Sequence, residues 1–175
     1  VHGGGSDLIY PHHECEIAQS QHASGVEPFS RFWMHIGMVR YQGEKMSKSL
    51  GNLVLARDVL RYHSADAIRL YLLSHHYREA WEYHNDGPAR FEPLVATLRE
   101  AALLRGGAGA PLDVAPLKER LLAAVADDLD TPGAIEALRE MGEAITGAAE
   151  AGQEIEEARA ALRAAGSVLG LQVTR

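Results

Sequence analysis

The sequence contains a single cysteine, Cys15, and no long hydrophobic run. One thiol excludes an internal disulfide, and no apolar stretch approaches the roughly 18 residues that a membrane span requires. Disulfide-stabilised secreted domains and membrane proteins are therefore excluded. We expect a cytoplasmic protein with no membrane partner.

Positive charge is also scarce, because 17 Lys and Arg residues face 24 Asp and Glu residues and leave a net charge of -7. Such a chain has no overall field for coating nucleic acid, so an RNA partner would need a local basic patch. The 46% hydrophobic and 23% charged residues are ordinary for a globular protein. A length of 175 residues suits one domain or two small ones.

Beyond Phe91 the chain lacks histidine and aromatic residues. All nine histidines lie between His2 and His84, and every aromatic residue lies between Tyr10 and Phe91, so we expect the chemistry in the first half. The second half is rich in alanine, with Leu and Ile at helical spacing, which predicts a helical bundle. The first of its predicted helices follows Gly87-Pro88 and extends to Arg105. The second runs from Ala115 to Asp128, the third begins at Thr131, and the fourth runs from Gln153 to Leu169.

The first half has mixed patterns that predict an α/β region over residues 1–86, followed by an all-α region over residues 87–175, with helix predominating overall. The chain begins with Val1 at a point typical of the middle of a domain, so we expect a truncated, processed or misannotated start. The predicted elements are a strand that ends at His2 before a glycine-rich loop, a helix from Pro11 to Gly25, an apolar stretch from Phe32 to Val39, a turn at Gln42-Gly43, and helices over 56–62 and 65–75.

The opening motif runs from His2 to Asp7 through three glycines, Gly3, Gly4 and Gly5. Glycines let a backbone pass close to a ligand, and the Asp7 carboxylate accepts hydrogen bonds from hydroxyls such as those of a ribose. The motif matches neither the dinucleotide fingerprint nor the phosphate-loop pattern. Taken alone it predicts either a nucleotide site or a flexible turn.

A second motif places His12 and Glu16 four residues apart on one helical face. An imidazole and a carboxylate so placed can share a zinc ion. The metalloprotease pattern is absent because Ile17 stands where its second histidine would be. The alternative is a surface His/Glu pair without a metal.

The third motif, Lys45-Met46-Ser47-Lys48-Ser49, precedes Leu50-Gly51-Asn52. Two ammonium groups with hydroxyls between them can clamp a triphosphate and stabilise the charge on departing pyrophosphate. The alternative is a solvated basic turn.

Two further groups of charged residues complete the pattern. Aspartates before Thr131-Pro132 predict a helix end and the N-cap of the next helix. Four arginines predict either a basic face for an RNA stem or ordinary solvated helix surfaces. These residues are Asp127, Asp128 and Asp130, and Arg57, Arg61, Arg69 and Arg78.

Together these motifs resemble the later half of the cysteinyl-tRNA synthetase catalytic domain. The resemblance continues through Asp66-Ala67-Ile68-Arg69-Leu70 and through the Asp127–Pro132 segment, which is similar to that family's helical domain. The ligases that join cysteine to an amino sugar in mycothiol synthesis share most of the pattern. The resemblance implies an α/β remnant of a class I synthetase Rossmann-like domain, followed by an all-α bundle.

The resemblance also implies roles for individual residues. The family's zinc is held by two cysteines from earlier in its chain and by the positions of His12 and Glu16. His2 would line the cysteine pocket, and His35 is either a pocket member or a packed core histidine. The zinc would select cysteine over serine because sulfur is the softer ligand.

Further roles concern the nucleotide, which would be ATP with Mg²⁺. By the resemblance, Lys48 contacts ATP and Lys45 holds the motif over the triphosphate. The ribose would meet the glycine-rich segment with Asp7, and the adenine would lie near Met38 and Val39. The glycine positions concerned are Gly3, Gly4 and Gly5.

The chain departs from the family in lacking its His-Ile-Gly-His type ATP loop and both early zinc cysteines. The resemblance therefore implies ATP-dependent activation of cysteine and its transfer to tRNA(Cys), as part of a larger enzyme and not by this chain alone. An amino-sugar acceptor is the first alternative. The second is a non-catalytic module that binds a partner supplying the missing N-terminal half.

Overall fold

A computed structural model describes residues 1–173, which divide into two compact units. The N-terminal unit comprises Val1–Val54 and Tyr77–His84, and the helical unit comprises Leu55–His76 and the residues from Asn85 onward. The domain boundary predicted after residue 86 stays a prediction. Among residues 1–173, each helix is too short or too polar to span a lipid bilayer.

The N-terminal unit contains two small sheets and one long helix. Strand β1 (His2–Gly5) pairs in parallel with β2 (Trp33–Ile36), and His2 lies opposite Trp33. In the second sheet, β3 (Val39–Tyr41) pairs antiparallel with β4 (Glu44–Lys45) and in parallel with β5 (Trp81–Glu82). The elements are β1 (His2–Gly5), helical turns over Ser6–Leu8 and Ile9–His13, α1 (Glu14–Ser24), β2 (Trp33–Ile36), β3 (Val39–Tyr41), β4 (Glu44–Lys45) and β5 (Trp81–Glu82).

The glycine run lies in a strand, so the prediction of a glycine-rich loop at Gly3–Gly5 is wrong. Packing explains why glycine occupies β1. A Cβ on Gly3 would lie 3.3 Å from the Met34 carbonyl oxygen, and one on Gly4 would lie 3.1 Å from Nε2 of His13. Both distances are tighter than ordinary van der Waals contact, so the glycines allow β2 and the His13 ring to approach the strand.

The predicted turn at Gln42-Gly43 is confirmed, and it joins β3 to β4. Its two residues have φ angles of 57° and 80°, which is the pattern of a tight hairpin turn and favours glycine at the second position. The hairpin places Lys45 at the end of β4, where the signature loop begins. We use that name for residues 46–51.

The helical unit contains the predicted helices with shorter ends. The helix predicted over 115–128 ends at Ala126, because Asp128 and Leu129 have φ angles of 51° and 58°. The predicted N-cap is confirmed, since the Asp130 carboxylate accepts a 3.0 Å hydrogen bond from the Gly133 N–H. The helices are α2 (Ala56–Val59), α3 (Ala65–Leu73), α4 (Glu92–Leu103) after a turn at Pro88–Phe91, α5 (Ala115–Ala126), α6 (Thr131–Glu150) and α7 (Glu156–Val168).

One apolar core holds the helical unit together. Its largest fully buried side chains lie in the part of the chain that runs from α3 to α7, and most of them are leucine or isoleucine. The buried Asp66 of α3 also links two other segments of this unit. Its carboxylate accepts a hydrogen bond from Nη2 of Arg99 at 2.9 Å and one from the Gln172 N–H at 3.0 Å. The buried aliphatic and thioether side chains include Leu70, Leu98, Leu121, Leu138, Met141, Ile145 and Leu162.

Candidate active site

A histidine cluster surrounds the start of β1 in the N-terminal unit. His13 is buried, and its Nδ1 lies 2.8 Å from Nε2 of His35, so one imidazole donates a hydrogen bond to the other. Burial, followed by the nearby His2 and His35, lowers the pKa of His13 below its ordinary value. A neutral His13 suits this hydrogen bond, because a neutral ring offers one donor and one acceptor.

The structure brings His2 and His12 to opposite oxygens of Glu16. Nε2 of His2 lies 2.8 Å from Oε2, and Nε2 of His12 lies 3.5 Å from Oε1. The Oε2 atom is buried and accepts no well-aligned hydrogen bond, although His2 is within ion-pair distance. A buried carboxylate oxygen beside an imidazole is suited to a metal ion, because a cation would satisfy both lone pairs.

A second ligand combination is available in the same cluster. Ligand atoms of His2, His13 and Glu16 lie within 4.8 Å of one another. Sequence reasoning missed His13, although it adjoins His12 in the same motif. His2, His13 and Glu16 could supply nitrogen and oxygen ligands to a zinc ion. They supply no thiolate, and the one cysteine of the chain, Cys15, is exposed.

Asp7 and Lys45 meet beyond the other end of β1. Nζ of Lys45 donates to Oδ2 of Asp7 at 2.5 Å, and both side chains are nearly half exposed. The hydrogen bond from Lys45 lowers the pKa of Asp7 below its ordinary value. Gly5 adjoins this pair, because a Cβ on Gly5 would clash with Oδ1 of Asp7, and the same Cβ would lie 3.2 Å from Sδ of Met38. Three residues predicted to bind ATP, Gly5, Asp7 and Met38, therefore lie together, and Lys45 pairs with one of them.

The signature loop starts beside the predicted adenine contacts. The Met46 N–H donates to the Val39 carbonyl at 3.0 Å, which ties the loop to β3. Lys48 is exposed, and no carboxylate in the described part of the chain pairs with it. Of the two lysines, Lys45 is therefore neutralised by Asp7, whereas Lys48 is free to meet an anion.

The four arginines predicted as a basic face have different surroundings. Arg57 and Arg61 are exposed, and Arg61 lies 3.7 Å from Asp58. Arg69 lies beside Gly170, and the Arg78 guanidinium stacks over the Tyr77 ring at 5.0 Å. Arg78 belongs to the N-terminal unit and the others to the helical unit.

Comparison with known families gives this geometry a context. Residues 1–89 match the family of tRNA synthetases class I (C), catalytic domain. The chain belongs to this class I synthetase family. Residues 120–174 match the DALR domain, and this match covers about half of the helical unit, at its C-terminal side.

The relatives of this class I synthetase chain are much longer proteins. It is 42% identical to a cysteine--tRNA ligase of Rhodospirillum rubrum and 44% identical to one of Alkalilimnicola ehrlichii, each over 98% of the chain. It spans 37% of the length of both. It is also 47% identical to an L-cysteine:1D-myo-inositol 2-amino-2-deoxy-alpha-D-glucopyranoside ligase of Streptosporangium roseum, over 77% of the chain and 32% of that relative.

A solved structure supports the same fold. The Agrobacterium radiobacter K84 agnB2 LeuRS, in a ternary complex with tRNA and LeuAMS, is similar with a TM-score of 0.65 and 19% identity. The likeness covers 95% of this chain and 25% of that one. At this identity it supports the class I synthetase fold and nothing about substrate.

The ion pair of this synthetase chain predicts a measurable pH effect. Because Lys45 lowers the folded pKa of Asp7, the pair stabilises the fold above the ordinary aspartate pKa of 3.8, and this stabilisation is lost as pH falls through the folded pKa. We expect Lys45→Ala to raise the NMR titration midpoint of the Asp7 carboxyl, and Lys118→Ala to leave it unchanged. An unchanged midpoint in Lys45→Ala would contradict the pair.

Zinc content is a second prediction for this chain. We expect purified chain to hold much less than one zinc ion, because the ligand group His2, His13 and Glu16 supplies three ligands and no thiolate. Elemental analysis after dialysis would measure this. One tightly held zinc per chain would refute the expectation, and its loss in His13→Ala but not His12→Ala would then identify the His2, His13 and Glu16 set.

Proposed function

We propose that this chain is the part of a larger enzyme that activates cysteine with ATP and transfers it to tRNA(Cys). The observation that carries the proposal is the pair of clusters at the two ends of β1. His2 begins the strand and meets Glu16, while Asp7 follows the strand and meets Lys45. A cysteine site at one end and an ATP site at the other would bring the two reactants together along one strand.

The proposed activation of cysteine uses the positive charges of the N-terminal unit. The carboxylate of cysteine attacks the α-phosphorus of ATP, the bond to the β-phosphate oxygen breaks, and pyrophosphate leaves as cysteinyl adenylate forms. Lys48, aided by Lys45, stabilises the charge that develops on pyrophosphate. Magnesium accompanies the nucleotide and offsets its negative charge.

Nucleotide binding is assigned to the second cluster. In this proposal Asp7 accepts from the ribose hydroxyls, and the close packing of the glycines in β1 lets the adenylate approach the backbone. Met38 and Val39 lie beside the adenine.

Cysteine selection is assigned to the first cluster. His12 and Glu16 would hold zinc together with cysteines from elsewhere in the enzyme, and bound zinc would bind the substrate thiolate in preference to the hydroxyl of serine. His2 would line the pocket while it orients Glu16. His35 would act through its hydrogen bond to His13, which holds the imidazoles in place.

An amino-sugar acceptor is the second candidate function. The observation that favours it is the 47% identity to the Streptosporangium roseum amino-sugar ligase. The tRNA acceptor is favoured by cysteine--tRNA ligase matches that cover 98% of the chain rather than 77%. Arg57 and Arg61 would then serve the acceptor stem, and a cytoplasmic location stays a prediction.

The test uses the intact protein that contains this chain. We expect cysteine-dependent ATP–pyrophosphate exchange, followed by transfer of labelled cysteine to tRNA(Cys) and not to glucosaminyl inositol. Transfer to the sugar alone would establish the second candidate. Absence of exchange would favour a non-catalytic module. In that case, co-purification of the 175-residue chain with a separately encoded N-terminal half would identify the partner of the module.

A further inference from the structure

The Asn52 side chain joins the end of the signature loop to its start. Its Oδ1 accepts a 2.8 Å hydrogen bond from the Ser47 N–H, and its Nδ2 donates to the Lys45 carbonyl at 3.2 Å. The backbone N–H can only donate and the carbonyl can only accept, so both partners require the same orientation of the amide. Asn52 is half-buried, and its hydrogen bond with Ser47 is partly shielded from water, whereas the one with Lys45 is exposed.

We propose that Asn52 is a positioning residue for Lys45 and Lys48. It closes the signature loop so that Lys48 is presented to the triphosphate. The inference rests on the proposed function, in which Lys45 and Lys48 act on ATP. Asn52 itself touches no substrate in this proposal. It acts through the backbone of Lys45 and Ser47.

The other contacts of the loop do not close it. The Gly51 N–H donates to the Lys48 carbonyl at 3.2 Å, which forms a turn within the second part of the loop. Gly51 has a φ angle of 66°, and this left-handed conformation reverses the chain toward Lys45. Among the described hydrogen bonds, the two from Asn52 are those that connect residues 45 and 47 with the loop's end.

The serine hydroxyls contribute weaker contacts. Oγ of Ser47 lies 3.3 Å from Oγ of Ser49, and the Leu50 N–H lies 3.4 Å from Ser47 Oγ. Both distances are at the long end for hydrogen bonds. The amide of Asn52 is therefore the stronger closure, because it is a planar group that bonds two backbone groups at once.

Closure distinguishes the roles of the two lysines. Lys45 is held twice, through its carbonyl by Asn52 and through its ammonium group by Asp7. Lys48 lies three residues further on, inside the closed loop. The loop thus has a fixed end at Lys45 and carries Lys48 on the segment that Asn52 closes.

Trypsin provides the first measurement, because it cleaves after Lys45 and Lys48 in the 175-residue chain. Without nucleotide, we expect cleavage at Lys48 to be about five- to tenfold faster in Asn52→Ala, which loses both hydrogen bonds. Asn52→Asp keeps the acceptor for Ser47 and is expected to be intermediate. Cleavage of Asn52→Ala within twofold of wild type would overturn the inference.

Matched controls separate loop closure from unfolding. Leu53→Ala changes the adjacent, exposed residue and is expected to be cleaved at the wild-type rate. Trp33 and Trp81 both lie in the N-terminal unit, so their fluorescence reports whether that unit stays folded in each variant. A lowered unfolding midpoint in Asn52→Ala that matches its faster cleavage would overturn a specific action on the loop.

The second measurement is catalytic and uses the intact protein. We expect Asn52→Ala to lower kcat of ATP–pyrophosphate exchange about tenfold with KM for cysteine unchanged, and Asn52→Asp to recover part of the loss. Faster cleavage with unchanged kcat would overturn the positioning role. A wild-type enzyme without exchange would instead overturn the proposed function, while the nucleotide-free cleavage ratio would still decide whether Asn52 closes the loop.

Discussion

Lys48→Ala is expected to reduce the kcat of cysteine-dependent ATP–pyrophosphate exchange by about 10²- to 10³-fold in the intact enzyme, the usual cost of removing a group that stabilises developing charge. The side chain is exposed and has no carboxylate partner among the described residues, so its whole charge is available to pyrophosphate. Exchange kinetics at saturating cysteine and variable ATP would measure the loss.

A matched control is available because the chain has only three lysines. Lys118→Ala removes the same charge from the helical unit and is expected to leave exchange unchanged. Lys45→Ala is expected to have a smaller effect than Lys48→Ala, since the ammonium group of Lys45 is already paired with Asp7. A loss below fivefold in Lys48→Ala would contradict the role assigned to it.

The parts of the fold that sequence reasoning predicted correctly depend on neighbouring residues. Asp130 caps α6 through the N–H of Gly133, three residues away. Gln42-Gly43 forms the hairpin turn for a similarly local reason, because its glycine tolerates a positive φ. Local rules of this kind are readable from sequence, because every interacting group lies within a few positions.

The parts that sequence reasoning missed depend on contacts between distant segments. Gly3 and Gly4 are poor strand formers, and they lie in β1 because β2 and His13 occupy the space of their absent side chains. The hydrogen bond of His13 to His35 spans 22 positions, and that of Lys45 to Asp7 spans 38. No local pattern predicts which of several histidines or carboxylates becomes the partner.

In the candidate site, too, the sequence motifs indicated the residues, whereas the structure was needed to show which of them pair. The residues predicted for ATP were chosen by resemblance, and the structure places three of them, Gly5, Asp7 and Met38, together, with Lys45 paired to Asp7. The resemblance did not indicate that Lys45 is neutralised in the nucleotide-free chain. That pairing makes the two lysines chemically unequal, and it is the reason that Lys48 is expected to contribute more to catalysis.

Leu121→Ala is expected to destabilise the helical unit by about 3 kcal/mol, within the roughly 2–5 kcal/mol range for a fully buried leucine. Leu121 is 0% exposed in α5, whereas its neighbour Leu122 is 45% exposed. Leu122→Ala removes the same atoms from the same helix and is expected to cost less than about 1 kcal/mol, because it leaves no internal cavity.

Urea unfolding followed by circular dichroism at helical wavelengths would measure both variants, since most of the helices belong to this unit. Tryptophan fluorescence would report the N-terminal unit in the same samples, because Trp33 and Trp81 both lie there. Equal destabilisation by the two substitutions would mean that helix propensity rather than burial determines the loss. A loss confined to Leu121→Ala follows if the core between α5 and α6 stabilises the unit by excluding water.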